Sequence, residues 1–238
     1  FTMPAFVLKA DVRHYFEGVD HAILLSILQR KIKDRRVIWL IRTILGNYST
    51  RAGNGMPLGN LTSQFFANVY LNELDHFVKH ILRAKYYLRY VDDFVILSNS
   101  QIELESYLMM IHKFIRENLA LELHPTKSRI VPLHRGTEFL GLKIFLHHKL
   151  IKQKSVRKFY GKFYKSGQDY KRGKMSYDSI YDFMEGWMAY AKNADTYLLR
   201  QRVACLFEKR FPGEISTKEI IRHLKEEEKH RSRRQPPI

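Results

Sequence analysis

Cysteine is nearly missing from these 238 residues: Cys205 stands alone. A single thiol excludes an internal disulfide and any cysteine-rich metal site. No apolar run approaches the roughly 18–20 residues that a membrane-spanning helix needs. The opening Phe1-Thr2-Met3-Pro4 has no basic start and no long apolar stretch behind it. That is not the pattern of a secretory leader, and a cytoplasmic protein is expected. An initiating Met is also missing, and a strand-like run begins almost at once, so an upstream segment is expected. Acids are scarce: 24 Asp and Glu face 41 Lys and Arg, for a net charge of +17. A folded chain with that excess points to a polyanionic partner. Nucleic acid fits better than a membrane surface, because no terminal helix shows a purely apolar face. No internal repeat is visible. Hydrophobic residues make up 45% of the chain, enough for the core of one large domain or two small ones.

The chain does have an acid pair in an apolar setting. Tyr90-Val91-Asp92-Asp93 lies between Tyr86-Tyr87-Leu88-Arg89 and Phe94-Val95-Ile96-Leu97. Aromatic and β-branched residues on both sides predict strand, tight turn, strand. Two carboxylates then occupy the tip, with apolar strands behind them that cannot neutralise the charge. Burying such a pair without a counter-ion costs several kcal/mol. A hard divalent cation resolves the conflict. The competing reading is a plain hairpin turn, since Asp is a common turn residue.

Ahead of this pair, residues 5–12 predict a strand ending on an acid, Asp11. Asp20 is placed to cap a helix carrying Ile23, Leu24, Ile27, Leu28 and Ile32. A second helix is expected over 37–45. Residues 47–61 are rich in Gly and Asn and read as a loop or short hairpin. A long helix is expected over 62–82, with a broad apolar face that includes Phe66, Tyr70, Leu74 and Val78. A Gly-rich segment entering a helix N-terminus offers free N–H groups to a phosphate. It serves equally as a plain cap. After the hairpin come a helix over 101–118, strands within 119–123 and 126–131, and a last hairpin over 136–145. Antiparallel strands with helices grouped on one face make an α+β domain of the split βαβ type.

From Lys149 the composition shifts. Lys152, Lys154, Arg157, Lys158, Lys162 and Lys165 alternate with Phe159, Tyr160, Phe163 and Tyr164. Such a stretch can track a phosphate backbone while its rings bury apolar contacts. The alternative is a solvated basic helix whose aromatics are core. Helices are expected over 177–192, 195–209 and 216–229. Residues 230–238 are basic and proline-bearing and read as a disordered tail.

If the strand ending on Asp11 pairs beside the 86–97 hairpin, Asp11, Asp92 and Asp93 converge. Carboxylates so clustered suit Mg²⁺. Two ions about 3.5–4 Å apart would activate a 3′-hydroxyl and steady a leaving pyrophosphate. The protein would then mainly position and stabilise charge in an in-line phosphoryl transfer.

These stretches together resemble the palm and thumb of a reverse transcriptase, over roughly residues 5–210. Asp11-Val12-Arg13-His14-Tyr15-Phe16 resembles the first palm motif. Gly59-Asn60-Leu61-Thr62-Ser63-Gln64 resembles the template- and nucleotide-contacting motif. Tyr90-Val91-Asp92-Asp93 is similar to the YxDD box. The stretch 123–130, with Lys127, and Phe139-Leu140-Gly141 resemble the two motifs that follow. The resemblance implies a palm over 1–148 and an all-helical basic thumb over 149–229. It implies that Asp11, Asp92 and Asp93, with the Val12 carbonyl, hold two Mg²⁺ ions, with Mn²⁺ as the alternative. Arg13 and His14 would meet the incoming dNTP through their backbone N–H groups, beside Tyr15. Phe16 would be the steric gate against a 2′-hydroxyl. Leu58, Gly59 and Gln64 would also contact the nucleotide. Lys127 would protonate the pyrophosphate. Tyr90, Phe139, Leu140 and Gly141 would place the primer end. Lys154, Arg157, Lys158 and Lys162 would follow the hybrid of RNA template with DNA or RNA primer.

One departure narrows the subfamily. Most reverse transcriptases carry Gln-Gly-x-x-x-Ser-Pro where this chain has Leu58-Gly59-x-x-x-Ser63-Gln64. That pattern resembles the enzymes of diversity-generating retroelements, as does the stretch 186–197. Those enzymes copy a template repeat inaccurately, mainly opposite adenine, and work with a small basic accessory protein. They are bacterial, archaeal or phage-encoded. Leu58 cannot orient a nucleotide by hydrogen bonding as Gln can, which weakens base discrimination. Group II intron, retron and defence-associated enzymes remain as alternatives. So does a nucleic-acid-binding palm that has lost catalysis. The finger motifs ahead of the first palm strand are absent, so this piece is expected to bind primer-template yet polymerise poorly.

Overall fold

The computed structural model describes residues 5–48, 53–57, 59–222 and 224–225. Leu58, residues 226–229 and the tail 230–238 fall outside them. Residues up to Thr137 form one compact unit, and those from Glu138 form a second.

The first unit contains, in order, β1 (Phe6–Asp11), α1 (Tyr15–Gly18), α2 (His21–Gln29), α3 (Arg35–Gly46) and α4 (Leu61–His76). A single π-helical turn, Phe77–Ile81, extends α4. Then come β2 (Tyr86–Tyr90), β3 (Asp93–Ser98), α5 (Gln101–Leu119) and β4 (Arg129–Pro132). The four strands form one sheet in the order β2-β3-β1-β4. All its pairings are antiparallel. This is the expected α+β, split βαβ arrangement.

Local chemistry explains the element starts. The Asp20 carboxylate accepts from the Ile23 N–H at 3.0 Å and opens α2. Asp34 does the same for α3 through the Arg36 N–H, and Ser100 for α5 through the Glu103 N–H. Ala120, in the left-handed region at φ 48°, ends α5. Its N–H, like that of Leu121, bonds back to the Ile115 carbonyl. That early turn is why the strand expected over 119–123 shrinks to one bridge, Val12 with Leu123. The long helix expected over 62–82 likewise gives way to the π turn, which ends with Leu82 and Ala84 buried.

Strand alternation sets up the site. Leu8 and Ala10 of β1, and Phe94 and Ile96 of β3, enter the main core with Tyr70, Leu71, Leu104 and Ile111. With a period of two, Lys9, Asp11, Asp93 and Val95 therefore face the opposite side of the sheet.

The second unit differs from the all-helical thumb expected. It begins with β5 (Thr137–Phe139), β6 (Leu142–Ile144) and β7 (Lys149–Ile151), a three-stranded sheet. Then follow α6 (Gln153–Lys171), α7 (Tyr177–Ala191) and α8 (Tyr197–Arg210), and a helical stretch over 217–222. The division falls after Thr137 rather than after 148. The reason is apolar: Ile151 is buried in the helical unit's core and Leu142 packs against it. The composition shift at Lys149 marks the basic helix, not the start of the unit. Phe159, Phe163, Ile180, Met184, Trp187 and Phe207 make that core, with Phe159 stacked on Trp187 at 3.9 Å.

Candidate active site

The acids meet where β1 ends beside the β2–β3 turn. Asp11 stands directly opposite Asp93 in the β1–β3 register. Asp92 precedes Asp93 on the turn, and its carbonyl accepts from the Val12 N–H at 3.3 Å. On the other side, the Asp11 carbonyl accepts from the His124 N–H at 2.7 Å, and Ser128 Oγ from the Asp11 N–H at 3.4 Å. The backbone around Asp11 is thus held from two neighbours. Like charges directly opposite each other are unfavourable in a sheet, so this register needs compensation.

Two lysines supply it. Lys127 Nζ donates to Asp11 Oδ2 at 3.0 Å. Lys9 Nζ lies 3.4 Å from Asp93 Oδ1. That contact is charge against charge only, because Asp93 Oδ1 is buried with no hydrogen bond. Among the described residues, Asp92 has no such cation at its carboxylate. Burial, joined by the negative charges of Asp11 and Asp93, pushes its carboxyl above the usual Asp value, while Lys127 pulls the other way. Among the described residues, no group of three or more His, Cys, Asp or Glu side chains is arranged to hold a metal ion. The expected convergence therefore stops short of a formed coordination set. The acids share one corner, but the lysines draw on two of them and mutual repulsion acts on the third. The donors still fit a hard cation: an orphaned buried carboxylate oxygen and an undercompensated carboxyl are groups that such an ion would stabilise.

The turn itself rests on a network that sequence reasoning missed. Val91, a β-branched residue, sits at φ 54°. Arg89 Nη1 donates to the Val91 carbonyl at 2.8 Å. The same guanidinium grips Asp75 of α4 in a fork, Nε to Oδ1 at 2.7 Å and Nη2 to Oδ2 at 2.5 Å. The Tyr87 hydroxyl donates to Asp75 Oδ1 at 2.6 Å. The signal was present: Arg89 is the lone charge in Tyr86–Tyr90, and Lys9 the lone charge in β1 before Asp11. Only the pairing revealed their partners.

The other expected residues are spread more widely. Arg13 and His14 are exposed and line an open cleft with Gly18, Leu121 and Glu122. Phe16 is half-buried against the core. Tyr15 departs from expectation. Its ring is 2% exposed, and its hydroxyl donates to the Ala67 carbonyl at 2.5 Å. The side chain is core and leaves only the backbone for a nucleotide. Gly59 takes φ 94°, and Gln64 is exposed in the first turn of α4. Tyr90 is exposed on β2.

The remaining candidates belong to the second unit. Phe139 is buried, so its ring is not free to touch a primer. Leu140 at φ 48° and Gly141 at φ 81° make the turn, and the Tyr190 hydroxyl donates to the Gly141 carbonyl at 3.1 Å. Lys154, Arg157, Lys158 and Lys162 are all exposed on α6. Their interleaved rings divide: Phe159 and Phe163 are core, whereas Tyr164 is 47% exposed.

A family model described as "Reverse transcriptase (RNA-dependent DNA polymerase)" matches residues 2–144. The chain belongs to the reverse transcriptase family. Among similar members, it is 26% identical over 192 residues to Protein YkfC of Escherichia coli, covering 65% of this chain and 49% of that protein. It is 34% identical over 77 residues to the group II intron-encoded protein LtrA of Lactococcus lactis, covering 30% of this chain and 13% of that protein. The chain thus spans at most about half the length of these relatives. The fold resembles a telomerase from Candida tropicalis, solved in complex with a fragment of telomeric RNA. The TM-score is 0.53 at 12% identity, covering 89% of this chain and 41% of that one. No helix among the described residues is long and apolar enough to cross a membrane.

Proposed function

We propose that this chain carries the catalytic palm and thumb of an RNA-directed DNA polymerase, which extends a primer on an RNA template with dNTPs. The observation that supports this best is the cross-strand pairing of Asp11 with Asp93, with Asp92 beside them, in a member of this family. Asp11, Asp92 and Asp93, with the Val12 carbonyl, would hold two Mg²⁺ or Mn²⁺ ions. When bound, such ions acidify a primer hydroxyl and neutralise the leaving pyrophosphate. Arg13 and His14 present charge and backbone at the adjoining cleft, where a triphosphate would be met. Phe16 is the proposed gate, since a ring backed by the core resists displacement by a 2′-hydroxyl. Lys127 is the proposed proton donor to pyrophosphate. Leu140 and Gly141 would place the primer, and the exposed α6 cations would follow the hybrid.

The finer reading is a diversity-generating enzyme with an accessory protein. It is supported by Leu58-Gly59 and Ser63-Gln64. In α4, Ser63 is buried and Gln64 exposed, so Gln64 is the free side chain of that motif. Similarity to LtrA favours a second reading, an intron-type enzyme.

One assay tests both levels. The full-length protein is given primed RNA, dNTPs and Mg²⁺, and the products are sequenced. Extension by wild type and none by Asp92→Asn is expected. Equal behaviour of the two would end the polymerase reading. Accurate copying across template adenines would end the diversity-generating reading and leave the polymerase.

A further inference from the structure

Helix α3 carries an exposed face that the polymerase roles leave unused. Its inner side is ordinary core: Ile38, Ile41 and Leu45 are buried. Its outer side shows Trp39 at 65% exposure, with Arg35 and Arg42 also exposed. Positions 35, 39 and 42 are spaced four and three residues apart, so they stand on one helical face. They line one groove with Gln29, Ile32 and Lys33 from the end of α2 and the connection after it.

The charge around the groove has one sign. From His21 to Tyr48 the basic residues are Arg30, Lys31, Lys33, Arg35, Arg36 and Arg42, and the one acid is Asp34. Asp34 is engaged in capping, accepting from the Arg36 N–H at 2.7 Å. Arg30 is engaged with Glu73 at 2.8 Å. Among the described residues, Lys31, Arg35, Arg36 and Arg42 have no carboxylate partner. An exposed indole between uncompensated guanidinium groups combines a stacking platform with phosphate-binding cations. Single-stranded nucleic acid offers both complements, unpaired base faces and a charged backbone. A duplex hides its base faces inside the stack.

We infer that the Trp39 groove binds single-stranded RNA, stacking a base on Trp39 with Arg35 and Arg42 on the flanking phosphates. The inference takes RNA as the ligand from the polymerase reading, but it does not depend on catalysis. The role is to hold an unpaired stretch of template outside the hybrid.

Tryptophan fluorescence of the full-length protein tests it directly. The chain has two Trp residues. Trp187 is 9% exposed, so Trp39 dominates any response to an added ligand. A short oligouridylate should quench the emission, and a duplex RNA of equal length should quench it far less. Trp39→Phe should abolish the quenching, and Trp39→Ala should weaken single-strand binding about tenfold. Arg35→Gln with Arg42→Gln should reduce the slope of log affinity against log salt by about two. Equal quenching by the duplex overturns the inference, as does unchanged affinity in Trp39→Ala. So does an emission shift with anionic phosphatidylserine vesicles but not with RNA, which would make the face a lipid contact. So does a Trp39 inaccessible to acrylamide, which would mean that protein covers it. Primer extension separates the two claims. Single-strand quenching without extension leaves the groove standing and removes the polymerase; extension with a silent Trp39 does the reverse.

Discussion

Replacing Arg89 by Met should separate two roles that one guanidinium performs. Its side chain is 9% exposed and that of Asp75 is 29% exposed. The fork to Asp75 and the bond to the Val91 carbonyl both disappear. Hydrogen bonds to charged groups contribute about 1.5–3 kcal/mol, and orphaning one partner of a buried ion pair costs about 3–5 kcal/mol. Water reaches Asp75, so the lower part of that range applies. We expect a loss of about 2–3 kcal/mol, or about 4–12 °C in the melting of the first unit. The turn suffers as well. A left-handed backbone at a non-glycine residue costs about 1–3 kcal/mol and persists only where its surroundings enforce it. Released from Arg89, Val91 can relax and carry Asp92 with it. A misplacement of about 1 Å at reacting groups can cost on the order of a hundredfold in rate, and that is the expected loss of primer extension. Adding Asp75→Asn removes the orphaned charge and leaves Tyr87 an acceptor. The double variant should recover most of the stability but little of the activity, because the Val91 carbonyl still lacks its donor. Thermal melts and single-turnover extension measure the two quantities on the same samples. Full recovery of activity with stability would refute the reasoning, making Arg89 only the counter-ion of Asp75.

Two other outcomes follow from the same geometry. The Asp92 carboxyl is held above its usual value by burial, with Asp11 and Asp93 adding to it. A raised pKa favours the folded state when the group is protonated, and that stability is lost as pH rises through the folded value. Asp92→Asn, measured with a chelator present, should therefore melt higher than wild type near neutral pH. The advantage should vanish below the ordinary Asp value of 3.8. An advantage that grows in acid would show the sign to be wrong. On α6, changing Lys154, Lys158 and Lys162 together to Gln should weaken primer-template binding and lower its salt slope by about three, one for each phosphate left unneutralised. An unchanged slope would mean that the stripe is only solvated.

The fold was legible wherever one local rule acted alone. The period of two placed β1 and the β2–β3 hairpin, and capping residues marked the starts of α2 and α5. Together they were enough for a split βαβ domain. Legibility failed where a residue answered to a partner distant in sequence. Nothing local says that Ile151 is buried among α6–α8 residues, so the unit boundary was set by composition and came too late. Tyr15 stands among motif residues but its hydroxyl ends on Ala67, and burial outweighs motif position. Phe139 is the same case in the second unit.

The candidate site divides along the same line. Its acids were readable because charge in an apolar strand is costly and must have a reason. Its cations were not, because lysine and arginine are abundant and only the register says which ones matter. Lys9 lies diagonally from Asp93 because β1 and β3 pair Asp11 with Asp93 and Lys9 with Val95. A one-residue slip would send Lys9 and both acids to the core face. The register that brings the carboxylates together is therefore the register that tempers them. Lys9 and Lys127 answer Asp93 and Asp11, Arg89 is committed to Asp75, and Asp92 is left undercompensated. That remaining deficit of positive charge accounts for the direction of the Asp92 shift. It also gives a physical reason for expecting a cation at this corner rather than a plain hairpin turn.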